Sequence, residues 1–172
     1  MILFSGKLVW RKGPDLLVEA AGRLRKKGTD VGLVFCGSGE MEPELKRRCS
    51  ELGLPAVFLG FVNQSGLSAV YHACDLFCLP SREGETWGLV VNEALLHGLP
   101  VVVSEAVGCA PDLVARHECG ENFQTGRVEA LAVGLKSSIQ RGFGPEWRAG
   151  CRKVVEPYST KKAAEGICRT LK

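Results

Sequence analysis

Two glutamates have the types and spacing to do chemistry. Glu85 and Glu93 bracket the seven residues Thr86-Trp87-Gly88-Leu89-Val90-Val91-Asn92. Glu93 falls inside an apolar helical stretch beside Val90, Val91, Ala94 and Leu95, where a carboxylate wants a partner. That helix starts near Gly88, Leu89 and Val90, and the free N–H groups of a helix N-terminus suit an anion. Glu85 on one side and Glu93 on the other can accept hydrogen bonds from hydroxyls. A diphosphate flanked by a sugar and a ribose would satisfy all of these groups. A capping Glu85 and a structural, buried Glu93 would account for the same residues.

Two more loops have matching chemistry. Gly6-Lys7-Leu8-Val9-Trp10-Arg11-Lys12-Gly13 carries three cations and runs into Pro14, which opens a helix. Lysines beside the positive end of a helix dipole make an anion site, and a solvated basic loop is the alternative. Gly37-Ser38-Gly39-Glu40 allows a tight turn and close ligand approach, although plain turn chemistry explains it as well. It is not a nicotinamide fingerprint, because the third glycine of Gly-x-Gly-x-x-Gly is missing. Ser104 to Asp112 follows a strand on the same edge and is placed to shape a pocket; its Ser and Cys have no evident base partner. Trp10 and Trp87 flank these loops and either line a site or pack. His72, His97 and His117 read as ordinary helix-face or turn residues, with His97 before Gly98 suited to a helix C-terminus.

These loops need a scaffold that brings them to one edge. Apolar runs at Ile2–Ser5, Val31–Cys36, Ala56–Leu59, Asp75–Leu79, Pro100–Ser104 and, more weakly, Glu121–Gln124 predict strands buried on both faces. Between and after them, helices are predicted at Pro14–Lys27, Met41–Leu52, Leu67–Ala73, Trp87–His97, Pro111–Arg116, Val128–Ile139, Trp147–Val155 and Thr160–Leu171. Strict alternation implies parallel pairing with right-handed crossovers, a Rossmann-like doubly wound sheet of about six strands with helices on both faces. Ligands of such sheets bind beyond the strand C-termini at the switch in strand order. Ala163, Ala164, Ile167 and Leu171 share one face of the last helix, which must pack on its own domain or stay exposed.

A length of 172 residues fits one domain spanning 1–172, and 45% hydrophobic residues are enough for a core. A net charge of +3, scattered along the chain, argues against nucleic acid. No apolar run has the length of a membrane span, and the first residues lack the order of a signal peptide. The eight cysteines include no CxxC pair and read as reduced, mostly buried thiols of a cytosolic protein, with no metal site.

Together these segments resemble family 4 (group 1) glycosyltransferases, whose GT-B fold has two Rossmann-like halves. The spaced glutamates resemble the family's Glu-x7-Glu signature, and Gly6-Lys7-Leu8 with Lys12-Gly13 its basic loop. Phe58-Leu59-Gly60-Phe61-Val62, Ala73-Cys74-Asp75-Leu76-Phe77-Cys78-Leu79-Pro80-Ser81 and Glu93-Ala94-Leu95-Leu96-His97-Gly98-Leu99-Pro100-Val101-Val102 resemble further family segments. The resemblance implies the C-terminal, nucleotide-sugar-binding half of a retaining, metal-independent hexosyltransferase. Lys7 and Lys12 would neutralise the leaving diphosphate, and Glu85 would contact the donor sugar. Glu93 would hold the ribose, and Val62 lies where main chain meets the base. Gly88, Leu89 and Val90 would touch sugar or phosphate, with Gly6 and Trp87 lining the site. No Asp-x-Asp motif is present. A UDP-sugar is expected ahead of a GDP-sugar, with no cofactor, in the cytoplasm; the full enzyme would be free to work at the inner face of a membrane. Lys7 replaces the family's usual Arg, and the family's N-terminal acceptor domain would be absent. A non-catalytic nucleotide-sugar-binding module, inactive without a partner domain, is the rival reading.

Overall fold

The computed structural model describes residues 1–115 and 119–170. The predicted helix end at Arg116, together with His117 and Leu171, lies outside them. Six strands form one sheet: β1 (Ile2–Ser5), β2 (Leu33–Cys36), β3 (Ala56–Gly60), β4 (Leu76–Leu79), β5 (Val101–Ser104) and β6 (Gly120–Phe123). Seven α-helices are described: α1 (Pro14–Lys26), α2 (Glu42–Glu51), α3 (Gln64–His72), α4 (Leu89–Leu96), α5 (Val128–Arg141), α6 (Pro145–Val155) and α7 (Thr160–Thr170). The strand order is β3-β2-β1-β4-β5-β6, and every pair is parallel. The chain builds outward from β1 to β3, then returns to lay β4 against the other side of β1. That reversal is the switch in strand order, and it opens a crevice between the loops after β1 and β4.

Alternation along the strands splits the core into two layers. Ile2, Phe4, Leu33 and Phe35 face α1, α2 and α5. Leu3, Phe77, Leu79, Val101 and Val103 face α3, α4 and α6. Each such fully buried side chain contributes roughly 1.5–3 kcal/mol. At the switch, β1 and β4 pair through two register positions, Ile2 with Leu76 and Leu3 with Phe77, and α1 packs on α5 over that line. The Met1 amine pairs with Asp75 across the same line at 2.6 Å.

Several elements depart from the sequence expectation. β3 is not buried on both faces, because it is the sheet edge; Val57 and Leu59 are 48% and 42% exposed. Its Phe58 is covered by stacking on Phe35 at 4.7 Å. α3 begins at Gln64 rather than Leu67, because Asn63 caps it by accepting from the Gly66 N–H at 3.1 Å. α4 begins at Leu89 rather than Trp87, after an N-cap Gly88 with φ 92°. The short helix after β5 is a single π-helical turn, Ala110–Val114. α7 buries no residue, and Ile167 stands exposed on it.

Among the described residues all eight cysteines are free thiols, and only Cys168 is exposed. Burial pushes the thiols of Cys49, Cys74 and Cys119 to about 11, and those of Cys109 and Cys151 to about 12. The thiolate is the reactive form, so these groups are doubly protected. A thiol reagent at pH 8 should therefore label Cys168 alone in the folded chain and all eight cysteines after denaturation. Fast labelling of a second site, read by peptide mass spectrometry, would contradict this packing.

Candidate functional site

The loops after β1, β2 and β4 interlock at the C-terminal edge of the sheet. Gly6 N–H donates to the Cys36 carbonyl at 2.9 Å, and Leu8 N–H donates to the Ser38 carbonyl at 2.9 Å. Gly37, at φ 134°, makes this possible: a Cβ there would lie 2.0 Å from the Gly6 carbonyl oxygen. The close approach that the Gly37-Ser38-Gly39 turn permits is thus made by the chain's own backbone.

The segment from Glu85 to Gly88 is held from the other side by the loop after β5. Gly108 N–H donates to the Glu85 carbonyl and Cys109 N–H to the Trp87 carbonyl, both at 2.9 Å. Glu85 and Val107 form an isolated parallel bridge. The Ser104–Asp112 loop therefore shapes the site by holding Glu85 in place. Its residues stand behind the pocket wall and do not line it.

Two adjoining cavities result, of about 560 and 400 Å³. Gly6, Lys7 and Val90 border both. The first also meets Lys12, Glu85, Trp87, Gly88 and Leu89. The second meets Glu93 and Val62. Every residue singled out from the sequence as a donor-site candidate therefore lines one or both of these adjoining cavities. Trp10 does not; it stands outside, half exposed, under the Arg82 guanidinium at 4.8 Å. Trp87 both lines the groove and packs: its indole N–H donates to Asn92 Oδ1 at 2.8 Å.

The charges in the groove are not alike. Lys12 is ion-paired with Glu85, with side chains only 16% and 13% exposed, and Ser81 Oγ donates to the same carboxylate at 3.2 Å. Lys7 is exposed and makes no ion pair among the described residues. It borders both cavities, and the exposed Arg11 borders the first. The first turn of α4 faces the first cavity through Leu89 and Val90, and no side chain caps it.

Glu93 has the partner that its apolar setting demands, and the sequence reading did not name it. The Tyr71 hydroxyl on α3 donates to Glu93 Oε2 at 2.8 Å. Burial, with the adjacent Glu93 carboxylate, pushes the Tyr71 phenol far up, so it remains a donor. Tyr71 stacks on His97, with ring centroids 4.8 Å apart. His97 donates from Nδ1 to the Glu93 carbonyl at 2.8 Å, and its Nε2 lies 3.1 Å from Ser68 Oγ. This keeps His97 in an ordinary structural role at the end of α4. Cys36 and a highly exposed Phe61 also border the second cavity, and burial pushes the Cys36 thiol up. An aromatic left bare in the turn after β3 was the available signal for Phe61.

Among the described residues no cluster of three or more His, Cys, Asp or Glu could hold a metal ion, and no helix is long and apolar enough to cross a membrane. Comparison with known proteins fits this geometry. The chain is 38% identical over 120 residues to an uncharacterised glycosyltransferase of Methanocaldococcus jannaschii, covering 69% of this chain and 30% of that protein. It is 33% identical over 171 residues to a sulfoquinovosyl transferase of Arabidopsis thaliana, covering 97% of this chain and 32% of the relative. It thus spans about a third of the length of these curated relatives. An Anabaena protein solved with UDP and glucose superposes with a TM-score of 0.82 at 24% identity, over 99% of this chain and 47% of that one. The six-stranded parallel Rossmann-like sheet is that of GT-B glycosyltransferases. The family model for glycosyl transferases group 1 matches residues 1–146, and the chain belongs to that family.

Proposed function

We propose that this chain is the donor-holding domain of a retaining hexosyltransferase that uses a nucleoside-diphosphate sugar. The carrying observation is the two-part groove, with a carboxylate at each end and Lys7 where the parts meet. The base and ribose occupy the second cavity, against Val62 and Glu93. The diphosphate lies across Lys7 and the first turn of α4, and the hexose reaches Glu85 in the first cavity. When the bond from the sugar C1 to the phosphate oxygen breaks, its electron pair leaves on the diphosphate. Lys7, Lys12 and the N–H groups of Leu89 and Val90 meet that charge without a metal ion. The acceptor hydroxyl oxygen then bonds to C1 on the face the diphosphate left, and its proton passes to the departing phosphate oxygen.

The relatives are much longer than this chain, which supports an acceptor-binding domain in addition to it. The exposed face of α7 suits contact with such a domain. The buried free thiols suit the reducing cytoplasm. The pyrimidine of UDP is the expected base, ahead of the guanine of GDP.

Calorimetric titration of the chain with UDP, GDP and ADP, without and with Mg²⁺, tests the reading. One nucleotide should bind saturably in both conditions, and Glu93→Ala should weaken it by at least about tenfold, the worth of hydrogen bonds to a charged group. No binding by the folded chain, or binding indifferent to Glu93→Ala, would count against a donor domain.

A further inference from the structure

We infer that Tyr71 is a positioning residue for donor binding: its hydroxyl holds one carboxylate oxygen of Glu93 and thereby presents the other to the ribose hydroxyls. This deepens the function proposed above and rests on it. The observation is a chain of contacts behind the second cavity. Glu93 borders that cavity, and its Oε2 accepts the Tyr71 O–H at 2.8 Å. A carboxylate has further acceptor capacity on its other oxygen, and a vicinal diol offers two donors. Tyr71 cannot reach the ligand itself, because it is 1% exposed and does not border the cavity. Its ring stacks on His97 at 4.8 Å and packs against Phe77 at 6.2 Å. His97 is in turn bonded to the Glu93 carbonyl and lies within hydrogen-bond distance of Ser68. The Glu93 side chain is thus tied through its carboxylate, and its backbone through its carbonyl, to one aromatic stack between α3 and α4.

A site built to hydrogen-bond a hydroxyl discriminates strongly against a ligand that lacks it, provided the acceptor is held in place. Tyr71→Phe keeps both ring contacts and removes only the hydroxyl, so the fold should survive; circular dichroism and the thermal midpoint check this. The probe is whichever of UDP, GDP or ADP the chain binds, compared with the 2′,3′-dideoxy form of the same nucleotide. The wild type should prefer the hydroxylated form, and Tyr71→Phe should reduce that preference on the order of tenfold. Glu93→Gln should reduce it too, and adding Tyr71→Phe to Glu93→Gln should change it no further, since coupled residues are not additive. Equal weakening of both nucleotides by Tyr71→Phe, or a full further loss in the Glu93→Gln background, would assign Tyr71 to packing alone and overturn the inference. Binding that is sensitive to Glu93 but unchanged by Tyr71→Phe would overturn it while leaving the donor site standing. No nucleotide binding by the wild type would remove the donor-site reading and this inference together.

Discussion

Replacing Lys12 by alanine should destabilise the chain by about 3 kcal/mol, and adding Glu85→Gln should return half of that or more. The reason is geometric. Lys12 and Glu85 pair directly in the wall of the first cavity, and neither side chain is more than 16% exposed. Removing the ammonium leaves a largely buried carboxylate with Ser81 Oγ as its remaining hydrogen-bond partner in the protein. Making that carboxylate neutral relieves the cost, because an amide oxygen still accepts from Ser81. Urea unfolding midpoints for the wild type, both single variants and the double variant measure the coupling. If Lys12→Ala costs less than about 1 kcal/mol, or the two substitutions simply add, the pair is no stronger than a surface ion pair. The same comparison bears on the proposed chemistry. In the free chain Lys12 is already engaged, so the charges open to a diphosphate are those of Lys7 and Arg11, both exposed at the first cavity.

Gly37→Ala and Gly150→Ala, the same chemical change, should have opposite signs. A methyl at Gly37 would lie 2.0 Å from a backbone oxygen of Gly6, at a φ of 134° that side chains avoid. No rotamer relieves a backbone clash, so a loss of about 3 kcal/mol is expected. Gly6 borders both cavities, so nucleotide affinity should fall with stability. Gly150 lies inside α6, and a methyl there meets nothing within 4 Å. Helix propensity alone then favours alanine, by roughly 0.5–1 kcal/mol. Thermal or urea denaturation of the two variants reads the difference. A neutral Gly37→Ala would mean that the interlock of the loops after β1 and β2 is looser than the structure places it.

Legibility from sequence followed the range of the interaction concerned. The strands, the main helices and the groove's glutamates and lysines were readable because their signals are local: apolar periodicity, turn glycines and the spaced Glu85 and Glu93. What escaped depends on residues far apart in the chain. Tyr71 meets Glu93 from another helix, and no spacing rule says which face of α3 meets α4. The pairing of Lys12 with Glu85 joins the two loops at the switch, so it exists only once β1 and β4 are neighbours. The edge position of β3 follows from strand order, which periodicity along one strand does not contain. The late start of α4 has the same origin, since Glu85 to Trp87 are drawn into contact with Val107 to Cys109 instead of winding into the helix. The start of α3 was a local miss: Asn63 is an ordinary cap, hidden because the residues after it are polar.

The narrow line where β1 meets β4 gives the groove a second meaning. On one side of that line lie Gly6, Lys7 and Lys12; on the other lie Glu85, Val90 and Glu93. A molecule filling both cavities bridges two sub-sheets whose strands meet through two register pairs, and it adds to the ties the chain already makes between them through α1 packed on α5 and the Arg82–Asp15 and Lys12–Glu85 pairs. Occupancy then works as a buckle: part of the ligand's binding free energy holds the two sub-sheets together, and the empty protein is more easily parted along that line than the loaded one.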